Sequence, residues 1–559
     1  MATGDGGWLP SLGLAAAVVV AFHWPLLLND GVYFEDFFLF DWFSDGRKDT
    51  FFGHLRMYGN LIPAYFTWAI FELPHNIFFF KLIAFGSILI ASIAIFGMLR
   101  KVGYFTRMQA AAIAALAAVY PGHLNTTHLS VVFHLICYAA YWVAVLLVLE
   151  SSIGSRRLRL LMRTSAALLF FLAFGLNSLL VFHFGFIALL LLRFRQESGY
   201  KYARLARSFI AEYWDVLAIP FVFWFWRQVI VVPYGEGALH TAIQFDFFLV
   251  ARIYLSAARL FVTQFFAVGL YPLAFLPIFA TVLLLLRKKD RRLEAVWNTA
   301  KSNPWAVFCF ALLLIFLGIF PYAVTDRGLG QWASDAASRN RILIMLPMAL
   351  LLLSGLAILL RRWPKIYVAS VIALIGSFGI YRLSVYEIWE AEAIKNHSIM
   401  HNLARLKEAR EVHVFGVRDL VVDGFDRVRL PHGYSSLFLH PNNAFKLVFG
   451  DFTRFVYFEG SSTEGAERGP WYTPDQAQSM NPVYFPKSRN PLFIPASFDP
   501  CARQAALVIS PGADFRSKRL LASYYYFKFL QPERMGEFLG SLTVLSLVPR
   551  WPPTSCTAR

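Results

Sequence analysis

Between Asn29 and Asn60 the chain reads NDGVYFEDFFLFDWFSDGRKDTFFGHLRMYGN, which sets Asp30, Glu35, Asp36, Asp41, Asp45 and Asp49 among phenylalanines and a tryptophan. Carboxylates in apolar surroundings are paired, protonated or at work. Glu35 and Asp36 stand out, because they sit close behind the first apolar segment and between Tyr33, Phe34, Phe37 and Phe38. Such an aromatic collar lowers the local polarity and suits a general base, provided a cation or ligand compensates its charge. Adjacent residues on a helix point about 100° apart, so one of the two would face a site while the other packs or caps. Asp36 is preferred as the base. Asp45-Gly46-Arg47 with Asp49 reads as an ordinary turn, so Asp41, Asp45 and Asp49 are assigned to a solvated face.

Basic and imidazole side chains accompany these acids. His54 and Arg56 close the same loop before an amphipathic stretch, Leu55–Leu73, where they could reach a phosphate or anchor the helix at lipid headgroups. The hairpin Tyr120–His128 concentrates polar side chains between two apolar runs. Its His123 and His128 are five residues apart, and no helix holds i and i+5 on one face, so they read as a wall of a substrate cavity. No cofactor is called for, and a divalent metal would lack a third ligand. Arg227 lies inside an apolar run, where burying an arginine costs about 2.5–3.5 kcal/mol at a helix centre, so it should face a cavity, find a partner or snorkel. Arg252 and Arg259 are spaced to share a helix face. Arg327, Arg339 and Arg341 precede a late apolar run; paired guanidinium donors suit phosphate, the alternative being interfacial anchoring or ion pairs with Asp326 and Asp335.

These residues must be positioned by membrane helices. With 57% hydrophobic residues, 16% charged and a mean hydropathy of +0.52, the 559-residue chain is too apolar for an ordinary soluble globule. Runs of about 20 apolar residues predict spans near 11–28, 77–99, 108–120, 129–149, 164–176, 178–192, 213–232, 262–286, 305–324, 342–360 and 366–385, about 11 transmembrane helices, of which the third and fifth are short. With the N-terminus inside, the inner loops carry 21 lysines and arginines against 8 in the outer loops. That bias places the acidic loop and everything after the last span outside the cytoplasm. The first run lacks a basic n-region and a cleavage site, so it reads as a retained helix rather than a signal peptide. The net charge of +17 is explained by topology, and no nucleic-acid partner is expected. Arginine outnumbers lysine 38 to 14, which hints at a GC-rich bacterial genome and hence a bacterial inner membrane.

After the last span the composition changes to prolines, polar turns and short apolar runs. Strands are expected at Glu411–Val417, Phe452–Phe458, Ala505–Ser510 and Thr543–Val548, and a helix over Val385–Glu411. The chain thus divides into a transmembrane domain, 1–385, and a C-terminal extracytoplasmic α+β domain, 386–559. Cys137 and Cys309 fall in apolar spans as small core residues. Cys501 and Cys556 fall in the polar part, where an oxidising compartment would permit a disulfide.

An acidic loop directly after the first helix, about 11 spans, arginines in a late outer loop and a C-terminal outer domain together resemble the glycosyltransferases of the GT-C superfamily, with the residue-level match confined to Tyr33–Gly46. The resemblance implies that Asp36 or Glu35 deprotonates an acceptor while a sugar leaves a polyprenyl phosphate or diphosphate carrier. It further implies that Arg339 and Arg341, with Arg327 and Arg227, hold the carrier's phosphate. The partners would be a polyprenyl-phosphate-linked sugar, a glycan or lipid acceptor and membrane lipids. The Trp-Trp-Asp signature of oligosaccharyltransferases is missing, with Gly469-Pro470-Trp471-Tyr472 in the C-terminal part instead. Transfer of a single sugar is favoured over asparagine-linked oligosaccharide transfer. An O-antigen polymerase or ligase is the nearest alternative, and a polysaccharide transporter or flippase would show repeated halves and charged or broken helices at mid-membrane.

Overall fold

The computed structural model describes residues 8–33, 36–44, 46–152, 155–198, 202–235, 238, 246–288, 303–325, 329, 336–412, 414–421, 448, 455–460, 504–512, 514 and 519–550. Helix α1 (Trp8–His23) runs on through a 3₁₀ turn to Leu27, and the acidic segment forms α2 (Asp36–Ser44). Then come α3 (Lys48–Met57) and α4 (Leu61–Phe71). Gly59 lies between them at φ +74°, a left-handed backbone that glycine adopts without a Cβ penalty. The single amphipathic stretch expected over Leu55–Leu73 is therefore two helices.

Helix α5 (Asn76–Val102) ends on Gly103 at φ +79°, with Arg100 and Lys101 in its last turn, where positive charge complements the helix dipole. Helix α6 (Arg107–Val119) begins with a reciprocal cap: Thr106 accepts from the Gln109 amide while the Gln109 side chain accepts from the Thr106 amide. Its alanines from Ala110 to Ala118 are buried, and their small side chains allow close packing against α1 and α5.

The chain continues through α7 (Val132–Glu150), α8 (Arg156–Ala173), α9 (Ser178–Ser198) and α10 (Tyr202–Val229). Helix α10 kinks at Tyr213, whose φ of −121° and ψ of 23° leave the helical region. Arg163 of α8 grips Asp215 beside that kink through Nε at 2.8 Å and a second bond from Nη2. The remaining helices of the first unit are α11 (Phe247–Gln264), α12 (Pro272–Lys288), α13 (Pro304–Ala323), α14 (Met345–Leu359) and α15 (Pro364–Arg405).

The protein is a polytopic helical protein. Nine helices among the described residues are long and apolar enough to cross a membrane, compared with the 11 spans expected. Arg107–Val119 and Pro272–Leu286 are shorter apolar helices, and α8 begins with four arginines in its first eight residues. The apolar run 262–286 is divided. Asp246 caps α11 by accepting from the Phe248 and Leu249 amides, a π-helical turn occupies Phe265–Gly269, and Pro272 opens α12. Hydropathy registers none of these boundary signals.

Two compact units result: Met1–Leu28 with Arg47–Tyr386, and Asn29–Gly46 with Glu387–Arg559. The acidic segment thus packs with the C-terminal part of the chain. In the second unit β1 (Val414–Asp419) pairs in parallel with β2 (Phe455–Gly460) and β3 (Gln504–Pro511), and β3 pairs antiparallel with β4 (Thr543–Arg550). The sheet order is β2-β1-β3-β4, and each of the four expected strand segments overlaps a strand. The core joins Ile394, Ile399 and Leu403 of α15 to Phe415, Val417, Leu507 and Ile509 of the sheet. Tyr524 of α16 (Leu520–Leu530) and Phe538 of α17 (Met535–Leu542) complete it.

Ala114 is fully buried on α6. Ala114→Leu is expected to lower stability by about 1–3 kcal/mol through overpacking, read as a reduced thermal midpoint of the detergent-solubilised protein.

Candidate functional site

In the second unit the chain leaving the first apolar helix is fastened by a polar network. Asn29 Nδ2 donates to the Tyr33 hydroxyl at 2.7 Å and to Glu390 Oε2 at 2.5 Å. The Tyr33 hydroxyl donates in turn to the Trp389 carbonyl at 2.6 Å, and the two rings meet edge to face at 5.0 Å. Gly31 lies under this contact: a Cβ there would fall 2.1 Å from the Tyr33 hydroxyl oxygen and 2.7 Å from Ala393 Cβ.

Asp30 is the acid that this network presents. Lys528 Nζ lies 2.7 Å from its Oδ2, and the Tyr524 hydroxyl donates to both carboxylate oxygens at 3.1 Å. Burial alone would push the Asp30 carboxyl up. The neighbouring His397 imidazole and the Lys528 ammonium, with hydrogen bonds from Lys528 and Tyr524, outweigh burial and hold it below its ordinary value of 3.8. Burial and the neighbouring charges of Asp30 and Glu390 push the Tyr524 hydroxyl up, so it stays protonated as a donor.

Asp36, the expected base, is fully buried at the start of α2, and its Oδ2 accepts the Tyr33 amide at 3.3 Å in the turn that begins the helix. That contact gives Asp36 a capping role. Glu35, Asp45, Arg327, Cys501 and Cys556 lie outside the described residues. Asp30, Glu390, Tyr524 and Lys528 were not singled out in the sequence. The available signal was position, since Asp30 is nearer the end of the first apolar run than Glu35 or Asp36.

In the first unit the hairpin Tyr120–His128 is buried, with His123, Asn125, Thr126, Thr127 and His128 all at 3% exposure or less. Side chains from several helices hold its backbone. Arg382 of α15 donates to the carbonyls of Tyr120, at 2.8 Å, and His123. Lys81 of α5 donates to the Thr127 carbonyl. Gln264 of α11 donates to the Pro121 carbonyl at 3.1 Å and accepts from the Tyr120 hydroxyl at 3.1 Å. Thr126 donates to the Tyr386 hydroxyl, which lies 2.7 Å from His23 Nδ1.

Arg341 is fully buried beside this hairpin, its carbonyl oxygen 3.2 Å from where a Cβ on Gly122 would fall. Burial, then the neighbouring Arg382, His134, Arg341 and His128, hold the His123 imidazole well below its ordinary value and therefore neutral. Three expected site residues, His123, His128 and Arg341, thus share one neighbourhood, to which the fold adds Arg382 and Lys81. Those two interrupt apolar runs, which is the signal that marks them in the sequence.

The other expected residues have these surroundings. Arg227 is 7% exposed at the end of α10 and donates to the Tyr58 carbonyl at 3.5 Å, while His54 meets the Tyr58 ring edge to face at 5.2 Å. Arg56 is exposed, and Arg339 is half-buried on the 3₁₀ segment Ala336–Ile344. Arg252 and Arg259 share α11 and are both exposed. Among the described residues no three His, Cys, Asp or Glu side chains are placed to hold a metal ion.

Replacing Arg382 with leucine would deprive two buried carbonyls of charged donors. Arg382→Leu is expected to cost about 2–5 kcal/mol, measured by thermal unfolding together with protease sensitivity of the hairpin. Because the Asp30 carboxyl is depressed in the folded state, its contribution to stability is present above 3.8 and lost as pH falls through its folded value. Unfolding midpoints between pH 3 and 7 should therefore lose part of their acid-side slope in Asp30→Asn. Compared with protein families, curated proteins and solved structures, the chain matches none.

Proposed function

We propose that this protein is a membrane glycosyltransferase that moves a sugar from a polyprenyl phosphate or diphosphate carrier to a cell-surface glycan or lipid acceptor. The basic loops orient the chain so that the reaction takes place on the extracytoplasmic side of a bacterial inner membrane, with the C-terminal α+β domain on that side. The observation that carries this reading is Asp30, an ionised carboxylate directly after the first apolar helix, flanked by Lys528 and Tyr524.

In the reaction the acceptor hydroxyl oxygen bonds to the anomeric carbon as the bond from that carbon to the phosphate oxygen breaks. The hydroxyl proton passes to Asp30 and the electron pair leaves with the phosphate. A carboxylate held below its ordinary value is a weak base toward a free hydroxyl. It therefore takes the proton late, once bonding to the anomeric carbon has made that hydroxyl acidic. Asp30 replaces Asp36 in this role, because the Asp36 carboxylate is turned into the start of α2. The charge that develops on the leaving phosphate calls for cationic donors, and guanidinium groups suit its geometry.

The test is transfer activity and membrane abundance measured together. Asp30→Asn should lower transfer by about 10²-fold or more, the scale expected for a lost general base, while abundance is retained. Asp36→Ala should instead lower abundance. Normal surface glycans in Asp30→Asn cells would overturn the reading.

A further inference from the structure

The first unit encloses a cavity of 290 Å³ between α5, α7, α9, α13 and α14, and neither the hairpin nor Asp30 contributes to it. Its inner end is formed by the rings of Tyr141, Trp142 and Phe182 with Leu314 and Leu346, a surface that is mostly apolar. Three further polar residues line the other end. Tyr104 follows α5, Gln196 is in the last turn of α9, and Asn303 precedes α13. The Tyr104 hydroxyl donates to Gln196 Oε1 at 2.7 Å across this mouth.

The dimensions suit one hydrocarbon chain. From Phe182 to Gln196 the lining follows α9 for about 21 Å at a rise of 1.5 Å per residue. This exceeds the ~15 Å that one leaflet contributes to a ~30 Å hydrocarbon layer. Apolar cavities exclude water and take apolar ligands, so a chain is the chemistry that fits.

The mouth carries the information about the headgroup. Arg100 and Lys101 stand between the lining residues Leu99 and Val102, and Arg193 and Arg195 between Leu192 and Gln196. Basic residues thus interleave with the lining at the polar end, on the face that the loop charges assign to the cytoplasm; of these, Lys101 is already paired with Glu150, its Nζ 2.6 Å from Oε2. Positive charge there attracts the anionic lipids of that leaflet.

We infer that this cavity is a binding site for one acyl chain of an anionic phospholipid, whose headgroup rests against the basic ends of α5 and α9. The site stands independently of the glycosyltransferase reading, since it uses none of the residues assigned to transfer.

The experiment is native mass spectrometry of the full-length, delipidated protein in detergent, titrated with dioleoyl phosphatidylglycerol or dioleoyl phosphatidylcholine. The wild type should bind one phosphatidylglycerol about tenfold more tightly than phosphatidylcholine, the scale expected of a few interfacial cations. Leu189→Trp, which fills the lumen, should abolish that tight adduct. Gln196→Trp, at an exposed position in the mouth, should do the same without disturbing the core. Arg100→Gln combined with Arg195→Gln should keep the adduct and lose the preference for phosphatidylglycerol. Equal binding of the two lipids by the wild type would overturn the inference. So would an adduct unchanged in both blocking variants, or displacement of the adduct by a polyprenyl phosphate.

Discussion

A backbone carbonyl inside a bundle of apolar helices must find its donor within the protein, and the hairpin Tyr120–His128 is where this constraint bears hardest. Its carbonyls at Tyr120, Pro121, His123 and Thr127 are met by Arg382, Gln264 and Lys81. Each donor comes from a different helix, so α5, α11 and α15 are tied to one short irregular segment. Two of the three are cations, which is costly among apolar helices unless the charge is used. The same clamps make the neighbourhood of Arg341 and His123 strongly positive. Burial is the first cause of the neutral His123 there, and the charge of Arg382 adds to it.

The second unit solves a different problem by similar means. A chain leaving a membrane helix at Leu28 must turn at once, and Asn29 provides that turn by bonding to Tyr33, Glu390 and the Gly31 amide. This places Asp30 against Lys528 and Tyr524, residues nearly five hundred positions later in the chain. An acid that would be an ordinary loop residue by its local sequence becomes a fixed anion through packing alone. The proton-transfer chemistry proposed for it depends on that fixity, because both its partners stabilise the charged form.

Much of the architecture was legible, because hydropathy and strand propensity act locally. The apolar runs beginning near Asn76, Leu129, Ser178 and Pro304 each became helices, and four alternating segments became strands. The run 262–286 misled because its ends are governed by Asp246 and Pro272, whose capping and ring constraints a hydropathy window averages away. The candidate site was less legible. Its clamps, Lys81 and Arg382, lie within spans, whereas basic residues are most visible when they cluster in loops. Asp36 drew attention by its aromatic neighbours, yet the charge partners that mark Asp30 come from α16 and cannot be seen along the chain.

Gly31 shows how closely the segment after the first apolar helix is fitted to Trp389. The absent Cβ leaves room for the Tyr33 ring, which reaches past it to the carbonyl of Trp389. Positions 31 and 33 therefore cannot drift independently: in chains sharing this fold, glycine at the first should travel with tyrosine at the second. An alanine at 31 would need a shorter residue in place of the tyrosine and room made at Ala393. The pair would then act as one unit of sequence, a mark by which distant relatives of this protein could be told from chance resemblance.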